Sequence, residues 1–185
     1  MLDKAKSGKL DGRDFRMAMD AVTEGRVESG DLYTALHVVG LAGSRAHAEA
    51  VGKYLHVPAD PMLSRLALQI LCDYWGMTSE FLPELRAFVA GVEWDVDGDV
   101  RDMAVSVAGN HLREAEGPSE LARMIMAIAE DESEFSLTRE SALRALARSL
   151  GDSLVDPSSP AVRVRVDTPL AADVLERAVA KWSRS

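Results

Sequence analysis

The sequence predicts an all-α fold, and three observations lead to that prediction. Aromatic residues make up only 5% of the 185 residues, while alanine, leucine and valine are abundant, a composition that favours packed helices over a β-sandwich. Apolar side chains recur at helical spacing in one stretch after another. These stretches also return along the chain at nearly regular intervals. Stacked pairs of helices account for all three observations.

The individual helices are predicted from stripes of apolar or small residues. One stripe runs from Val100 to His111, with its members three or four residues apart, which places them on one face of a helix. Similar stripes start at Leu63 and at Arg139. Glycine-containing breaks follow the helices, as at Gly76 and Gly151. Each stripe therefore marks one helix that must bury its apolar face against a neighbour.

Four of the stripes share a short motif. It is a small residue followed by a large apolar one, and it is written ALHVVG at 35–40, ALQILC at 67–72, AVSVAG at 104–109 and ALRALA at 142–147. The first alanines of the motifs are 32, 37 and 38 residues apart, which is the length of two helices and two turns. A helix pair cannot bury its stripe alone, and stacking the next pair buries it. The period therefore predicts a helical solenoid.

The stretch DVDGDVRDMAVSVAG resembles the first helix of a HEAT repeat, which has an acid-rich turn, a Val-Arg step and an alanine three residues later. The residues that carry this resemblance are Asp97, Asp99, Val100, Arg101 and Ala104. Arg139 and Ala142 repeat the spacing from arginine to alanine. The resemblance extends loosely over residues 31–150. It implies a HEAT-like right-handed α-α superhelix of about four helix pairs.

We expect a single domain over residues 1–185. Residues 1–30 form an N-terminal helical cap with a helix near Arg13–Thr23, residues 31–150 form the repeats, and residues 151–185 form a loop or lid and a C-terminal helix.

A short extended segment is predicted near the C-terminus, over residues 156–169. There Val162, Val164 and Val166 alternate with Arg163 and Arg165, which is the period of extended backbone. The alternation favours a segment laid over the last helix pair.

The charge balance limits the classes of partner. The formal net charge is −9, and so acidic a chain repels phosphate backbones, so we expect no nucleic-acid partner. The first residues contain no apolar stretch of the kind found in signal peptides, and no apolar run approaches the length of a membrane span. We therefore expect a cytoplasmic protein with no membrane partner, monomeric when free.

The acidic stretch before Val100 has several carboxylates close together, as calcium-binding loops do. An EF-hand calcium loop that starts at Asp95 needs glycine at its sixth position and glutamate at its twelfth, where the chain has Val100 and Ser106. The pattern therefore excludes an EF-hand. One or two of the acids serve instead to cap the following helix, and Asp97 or Asp99 is the expected capping residue.

The acids beyond those needed for capping predict an interaction edge. In a solenoid the loops that join successive units line up on one edge, which brings residues 93–99 together with residues 130–134. No lysine or arginine lies between Arg86 and Arg101, or between Arg123 and Arg139. Trp94 is the expected apolar anchor. The alternative is a solvated acidic edge with Trp94 packed on the core. The predicted partner-binding residues are Trp94, Asp95, Asp97, Asp99, Glu130, Asp131 and Glu134.

Catalytic and cofactor motifs are not found. None of the four histidines forms an HExxH motif, and the chain has no G-x-S-x-G, P-loop or Rossmann glycine pattern. Cys72, the only cysteine, lies among apolar residues and is interpreted as a core residue. We therefore expect no enzyme activity, no cofactor and no metal site.

The functional hypothesis is a protein-binding module that masks a basic protein partner. Its sharpest form is an immunity protein or antitoxin that covers the basic cleft of a bacterial toxin domain, such as a nuclease. The alternatives are a HEAT-like nucleic-acid repair enzyme or small-molecule enzyme that uses the concave groove, and a scaffold subunit of a larger assembly.

Overall fold

Helices make up all the regular backbone that the structure describes. The structure is a computed structural model, and it describes residues 1–25, 29–114, 119–152 and 164–182. No strand occurs in these ranges, so the prediction of an all-α fold is confirmed. The superhelical arrangement of the helix pairs stays a prediction.

The helices follow one another closely along the chain. The α-helices are α1 (Leu2–Lys6), α2 (Gly12–Glu24), α3 (Ser29–Ala42), α4 (Ala48–Gly52), α5 (Pro61–Gln69), α6 (Leu82–Ala90), α7 (Asp99–Glu114), α8 (Ser119–Glu130), α9 (Ser136–Ser149) and α10 (Pro169–Trp182). Helix α5 continues through a π-helical turn, Ile70–Tyr74, and short 3-10 turns precede α4 and α6. The four shared sequence motifs fall in α3, in α5 with its π-helical turn, in α7 and in α9.

The extended segment predicted over 156–169 lies largely outside the described residues. Its described part, residues 164–169, contains a turn and no strand, and Asp167 has a φ of 61°. Val164 is buried and Arg165 is exposed, as the alternating pattern predicts. An extended segment is nevertheless not confirmed.

The contacts divide the chain into two compact units. One consists of Met1–Leu82 and Glu93–Val100, and the other of Pro83–Val92 and Arg101–Ser185.

The first unit contains the helices of the N-terminal residues. Helix α2 corresponds to the helix expected near Arg13–Thr23, and it packs on α3 with Ala18 and Val22 buried. Helix α2 begins at a well-formed cap, because the Asp11 carboxylate accepts hydrogen bonds from the backbone N–H groups of Arg13 and Asp14. A helix thus lies at the expected place, and its role as the cap of the repeats stays a prediction.

An arginine closes the end of the π-helical turn in the first unit. Arg45 Nε donates to the carbonyl oxygen of Trp75 at 2.7 Å, and Arg45 Nη2 donates to that of Gly76 at 2.9 Å. The indole N–H of Trp75 donates in turn to the carbonyl oxygen of Gly40. These bonds satisfy carbonyl groups that lack a partner within their own helix.

The second unit is built on helices α8, α9 and α10, which pack against one another. Helix α7 joins α9 through polar contacts, because Arg148 donates to Asn110 Oδ1 at 3.2 Å and to Ser106 Oγ at 3.1 Å. The apolar stripe of α7 faces inward as predicted, with Val107 and Ala108 almost fully buried.

Two glycines allow close helix contacts with the same register in the two units. A Cβ on Gly40 would lie 2.5 Å from Ile70 Cγ1, and a Cβ on Gly109 would lie 2.8 Å from Ala145 Cβ. Each glycine follows the first alanine of its motif by five residues, and each contacted residue follows the first alanine of the next motif by three. The shared motif therefore encodes the same helix contact twice.

Replacing Gly109 with alanine is expected to destabilise the fold by about 1–3 kcal/mol, because the new methyl group overlaps the α9 backbone. The control is Gly30→Ala in α3, where no heavy atom lies within 4 Å of the new Cβ. It should be neutral or stabilising by up to about 1 kcal/mol. Urea unfolding followed by circular dichroism measures both variants. Equal effects of the two substitutions would contradict the assigned contact.

A forked ion pair holds α10 to the end of α9. Arg177 Nη1 and Nη2 donate to the two carboxylate oxygens of Asp152 at 2.8 and 2.7 Å, while Nε donates to Asp173. These hydrogen bonds and the charge of Arg177 hold the pKa of the Asp152 carboxyl below its ordinary value. Asp152 therefore stabilises the fold in its ionised form.

The contribution of Asp152 to stability depends on pH. A carboxyl whose pKa is lowered by folding adds stability above its ordinary pKa of about 3.9, and this stability is lost as the pH falls through the folded pKa. Asp152→Asn should reduce the free energy of unfolding by about 0.5–1 kcal/mol at pH 7, since the pair is partly exposed. The difference should shrink below about pH 4. Asp173→Asn, at the more exposed partner, is the control with the smaller effect. A difference that is unchanged at pH 3 would refute the assignment.

Candidate interaction surface

The loop of residues 93–98, here called the first acidic loop, belongs to the first unit and leads into α7. Asp95 is its buried acid, with 9% of its surface exposed, and its Oδ1 accepts a hydrogen bond from Val100 N–H at 3.2 Å. Gly98, with a φ of 74°, reverses the chain so that its own N–H reaches the Asp95 carbonyl oxygen. The expectation that Asp97 or Asp99 caps α7 is corrected accordingly, because the Asp95 carboxylate makes this bond.

The exposed side chains of the first acidic loop differ from those expected. Asp97 and Asp99 are exposed, as a partner-binding role requires. Trp94 is only half-buried, whereas Val96 has 85% of its surface exposed. Trp94 also makes an interaction of its own within the molecule. The most accessible apolar side chain of this loop is therefore Val96, two residues after the predicted anchor.

The second acidic loop comprises residues 130–135, between α8 and α9 in the second unit. Asp131 accepts hydrogen bonds from the hydroxyl and backbone N–H groups of Ser133, at 2.6 and 2.9 Å. These bonds hold the pKa of the Asp131 carboxyl below its ordinary value. The ionised carboxylate thereby ties residue 131 to residue 133 and orders the turn between them. Glu130 and Glu132 are exposed.

Glu134 in the second acidic loop is held by an ion pair. Arg101 Nη1 lies 2.6 Å from Glu134 Oε1, and each of the two side chains has only about one fifth of its surface exposed, 21% and 20%. Arg101 Nε donates to the carbonyl oxygen of Val89 at 3.1 Å. One guanidinium group therefore joins the last turn of α6 to the second acidic loop.

Arg139, in the helix that follows the second acidic loop, repeats the hydrogen bond from an arginine to a helix carbonyl group. Its Nε donates to the carbonyl oxygen of Ala129 at 3.1 Å. Val89 and Ala129 are the penultimate residues of α6 and α8, so both arginines bind the same carbonyl position of the preceding helix. A cation at this end also interacts favourably with the helix dipole. The spacing from arginine to alanine that the sequence repeats thus corresponds to a repeated hydrogen bond.

Two exposed apolar residues stand where the second acidic loop enters α9. Phe135 has 82% of its surface exposed and Leu137 has 64%. Val96, Phe135 and Leu137 are all absent from the partner-binding residues that the sequence predicts. The signal that could have identified them is that all three are apolar and fall outside every helical stripe, and that Val96 and Phe135 stand next to acids in the sequence.

The predicted partner-binding residues fall in both units. Trp94, Asp95, Asp97 and Asp99 belong to the first unit, and Glu130, Asp131 and Glu134 to the second. Each group is local, and the single acidic strip that would join them stays a prediction.

The described residues offer little else for chemistry. They contain no group of three or more histidine, cysteine, aspartate or glutamate side chains that could hold a metal ion. Cys72 is buried, and burial lowers the pKa of half-buried His111. Among the helices that are described, none has both the length and the apolar character needed to cross a membrane.

Comparisons with known proteins give no match, whether the chain is set against models of protein families, curated proteins or solved structures. The resemblance to HEAT repeats accordingly rests on the residues of this chain alone.

Replacing the guanidinium group of Arg101 with an uncharged side chain should destabilise the fold and speed hydrogen exchange in the second acidic loop. Arg101→Met leaves the Val89 carbonyl oxygen and the Glu134 carboxylate without this donor, so we expect a loss of about 1–3 kcal/mol in the free energy of unfolding. Arg123→Met, at an exposed arginine of α8, should change it by less than about 0.5 kcal/mol. Chemical denaturation measures the stability, and hydrogen exchange at residues 131–135 reports on the loop. Unchanged exchange there in Arg101→Met would show that the ion pair does not hold it.

Proposed function

We propose that the chain is a protein-binding module that binds and masks a basic protein partner through its acidic loops. The observation that carries the proposal is that each loop presents exposed acids beside a largely exposed apolar side chain. In the first loop these are Asp97 and Val96, and in the second Glu132 and Phe135. Exposed apolar groups beside charges of one sign are typical of interaction sites rather than of ordinary solvated loops.

The acids of the two loops divide into two roles. Asp95, Asp131 and Glu134 accept hydrogen bonds within the molecule and shape the loops. Asp97, Glu130 and the first residue of α7, Asp99, are exposed and are assigned to the partner. Trp94 is assigned a supporting position beside Val96 rather than the position of first contact. The partner thus meets a preformed loop, which lowers the entropy cost of binding.

Electrostatics supports a basic partner. The chain carries a net charge of −9, and both loops lie in stretches without lysine or arginine. Such a field speeds the encounter with a cationic surface and makes the association rate sensitive to salt. It repels anionic partners, including nucleic acids.

The sharpest form of the proposal is an immunity protein or antitoxin of HEAT-like fold. Proteins that act on nucleic acid carry cationic clefts for phosphate groups. A small acidic protein that covers such a cleft blocks it sterically and neutralises its charge. On this proposal the two loops bind the lysine and arginine side chains of a toxin domain.

A charge-matched set of variants tests the proposal. We expect tagged wild-type protein to retain one basic protein stoichiometrically from a lysate of its source cells, and that protein is then identified and purified. With the purified partner, Asp97→Asn/Asp99→Asn and Glu130→Gln/Glu132→Gln should each weaken binding at least about ten-fold, with the loss mostly at low salt. Asparagine is used instead of lysine because a positive charge at the start of α7 would be repelled by the positive end of the helix dipole.

The control is Asp20→Asn/Glu49→Gln, which removes two exposed acids outside both loops and leaves the same net charge as the test variants. Its affinity should match that of the wild type. If the control and the test variants lose affinity equally, only the overall charge matters and neither loop is the site. If wild-type protein retains no basic protein, the masking function is refuted.

A further inference from the structure

The start of α9 breaks the usual rule for helix starts. Phe135 occupies the N-cap position, with φ −58° and ψ 138°, and its side chain makes no capping hydrogen bond. This position favours serine, threonine, aspartate or asparagine, whose side-chain oxygens accept hydrogen bonds from the first helical N–H groups. Helix α2 follows the rule through Asp11. Phe135 thus occupies a position where a small polar residue would stabilise the fold.

The folded chain gains little from the phenylalanine. With 82% of its surface exposed, the ring has little packing to offset the missing cap. Leu137, at the second position of α9, is 64% exposed at the same end of the helix. Residues that break a local rule without a gain in the folded state are expected at functional sites. The conflict therefore points to a binding role for this end of α9.

We propose that Phe135 and Leu137 form the apolar anchor by which the second acidic loop binds its partner, an inference that rests on the proposed function. The complementary surface is an apolar recess on a basic protein, rimmed by lysine or arginine. The recess takes the ring of Phe135 and the side chain of Leu137, and the rim faces Glu130 and Glu132 of the loop.

Charge distinguishes among the classes of partner that the anchor could bind. An anionic lipid surface is repelled by the exposed acids that precede Phe135 in the loop. A second copy of the chain carries the same net charge of −9, so two copies meeting at this loop repel each other. A basic protein gains from both the apolar and the charged contacts.

The substitution Phe135→Ser separates binding from folding. Serine restores a capping oxygen to α9, so the Tm should rise by about 2–4 °C. Affinity for the purified basic partner should fall at least about ten-fold, because the anchor is removed. Val179→Ser, at an exposed valine of α10, is the control and should leave the affinity unchanged. Calorimetry gives the Tm, and titration with the purified partner gives the affinity.

A photo-crosslinking residue provides a second measurement that does not depend on loss of binding. Benzoylphenylalanine in place of Phe135 should crosslink to an apolar residue of the partner with lysine or arginine nearby in the partner's surface. The same group in place of Val179 should yield no crosslink to the partner.

Each outcome supports or overturns the anchor. If wild-type protein binds the basic partner and Phe135→Ser binds it equally well, the anchor is wrong while the masking function stands. If wild-type protein binds no basic protein, the masking function fails, and the anchor with it. A fall in the Tm of Phe135→Ser would show that the ring is structural. A wild-type dimer that Phe135→Ser converts to a monomer would place a second copy on the anchor.

Discussion

The contact on which the second unit depends is the hydrogen bond from an arginine at the start of one helix to a carbonyl group at the end of the previous one. Arg101 binds the Val89 carbonyl oxygen and Arg139 binds that of Ala129. Each bond satisfies a group that the helix itself leaves without a donor, and each places a cation at the negative end of the helix dipole. The bond fixes where the next helix begins, and therefore where the intervening loop must run. In the first unit Arg45 likewise donates to the carbonyl oxygen of Trp75, but Arg45 precedes this helix end in the chain.

Once the loop ends are fixed, the acids of each loop divide by geometry. An acid near a backbone N–H group or an arginine is drawn inward, as Asp95 is by Val100 N–H and Glu134 is by Arg101. The acids that remain, such as Asp97 and Glu132, face solvent. Charge density alone therefore does not define a binding surface. The inward acids tie each loop to neighbouring backbone and side-chain groups, and on the proposed function this order lowers the entropy cost of binding through the outward acids and apolar groups.

The sequence predicted features that depend on periodicity and missed those that depend on tertiary packing. The helices and their buried faces follow from the spacing of apolar residues, and the arginine-to-alanine spacing marked the repeated helix starts correctly. The cap of α7 was placed on the wrong acid, because Gly98 reverses the chain and brings Asp95 to the N–H group of Val100. The pairing of Arg101 with Glu134 joins residues 33 positions apart, which no local pattern reveals. The sequence left open whether Trp94 is an exposed anchor or packs on the core, and packing leaves it partly buried and Val96 the more accessible residue.

The start of α9 shows how a conflict between levels of structure carries information. At Asp11 the observed residue is the one that capping preference favours, because its carboxylate accepts hydrogen bonds from the first N–H groups of α2. At Phe135 capping and burial both oppose the observed residue, because the side chain makes no capping hydrogen bond and is largely exposed. A residue that costs stability in the folded monomer is expected where the chain gains from it in another state. The proposed gain is the burial of this ring, which follows the exposed acids of the loop, in an apolar recess of a cationic protein.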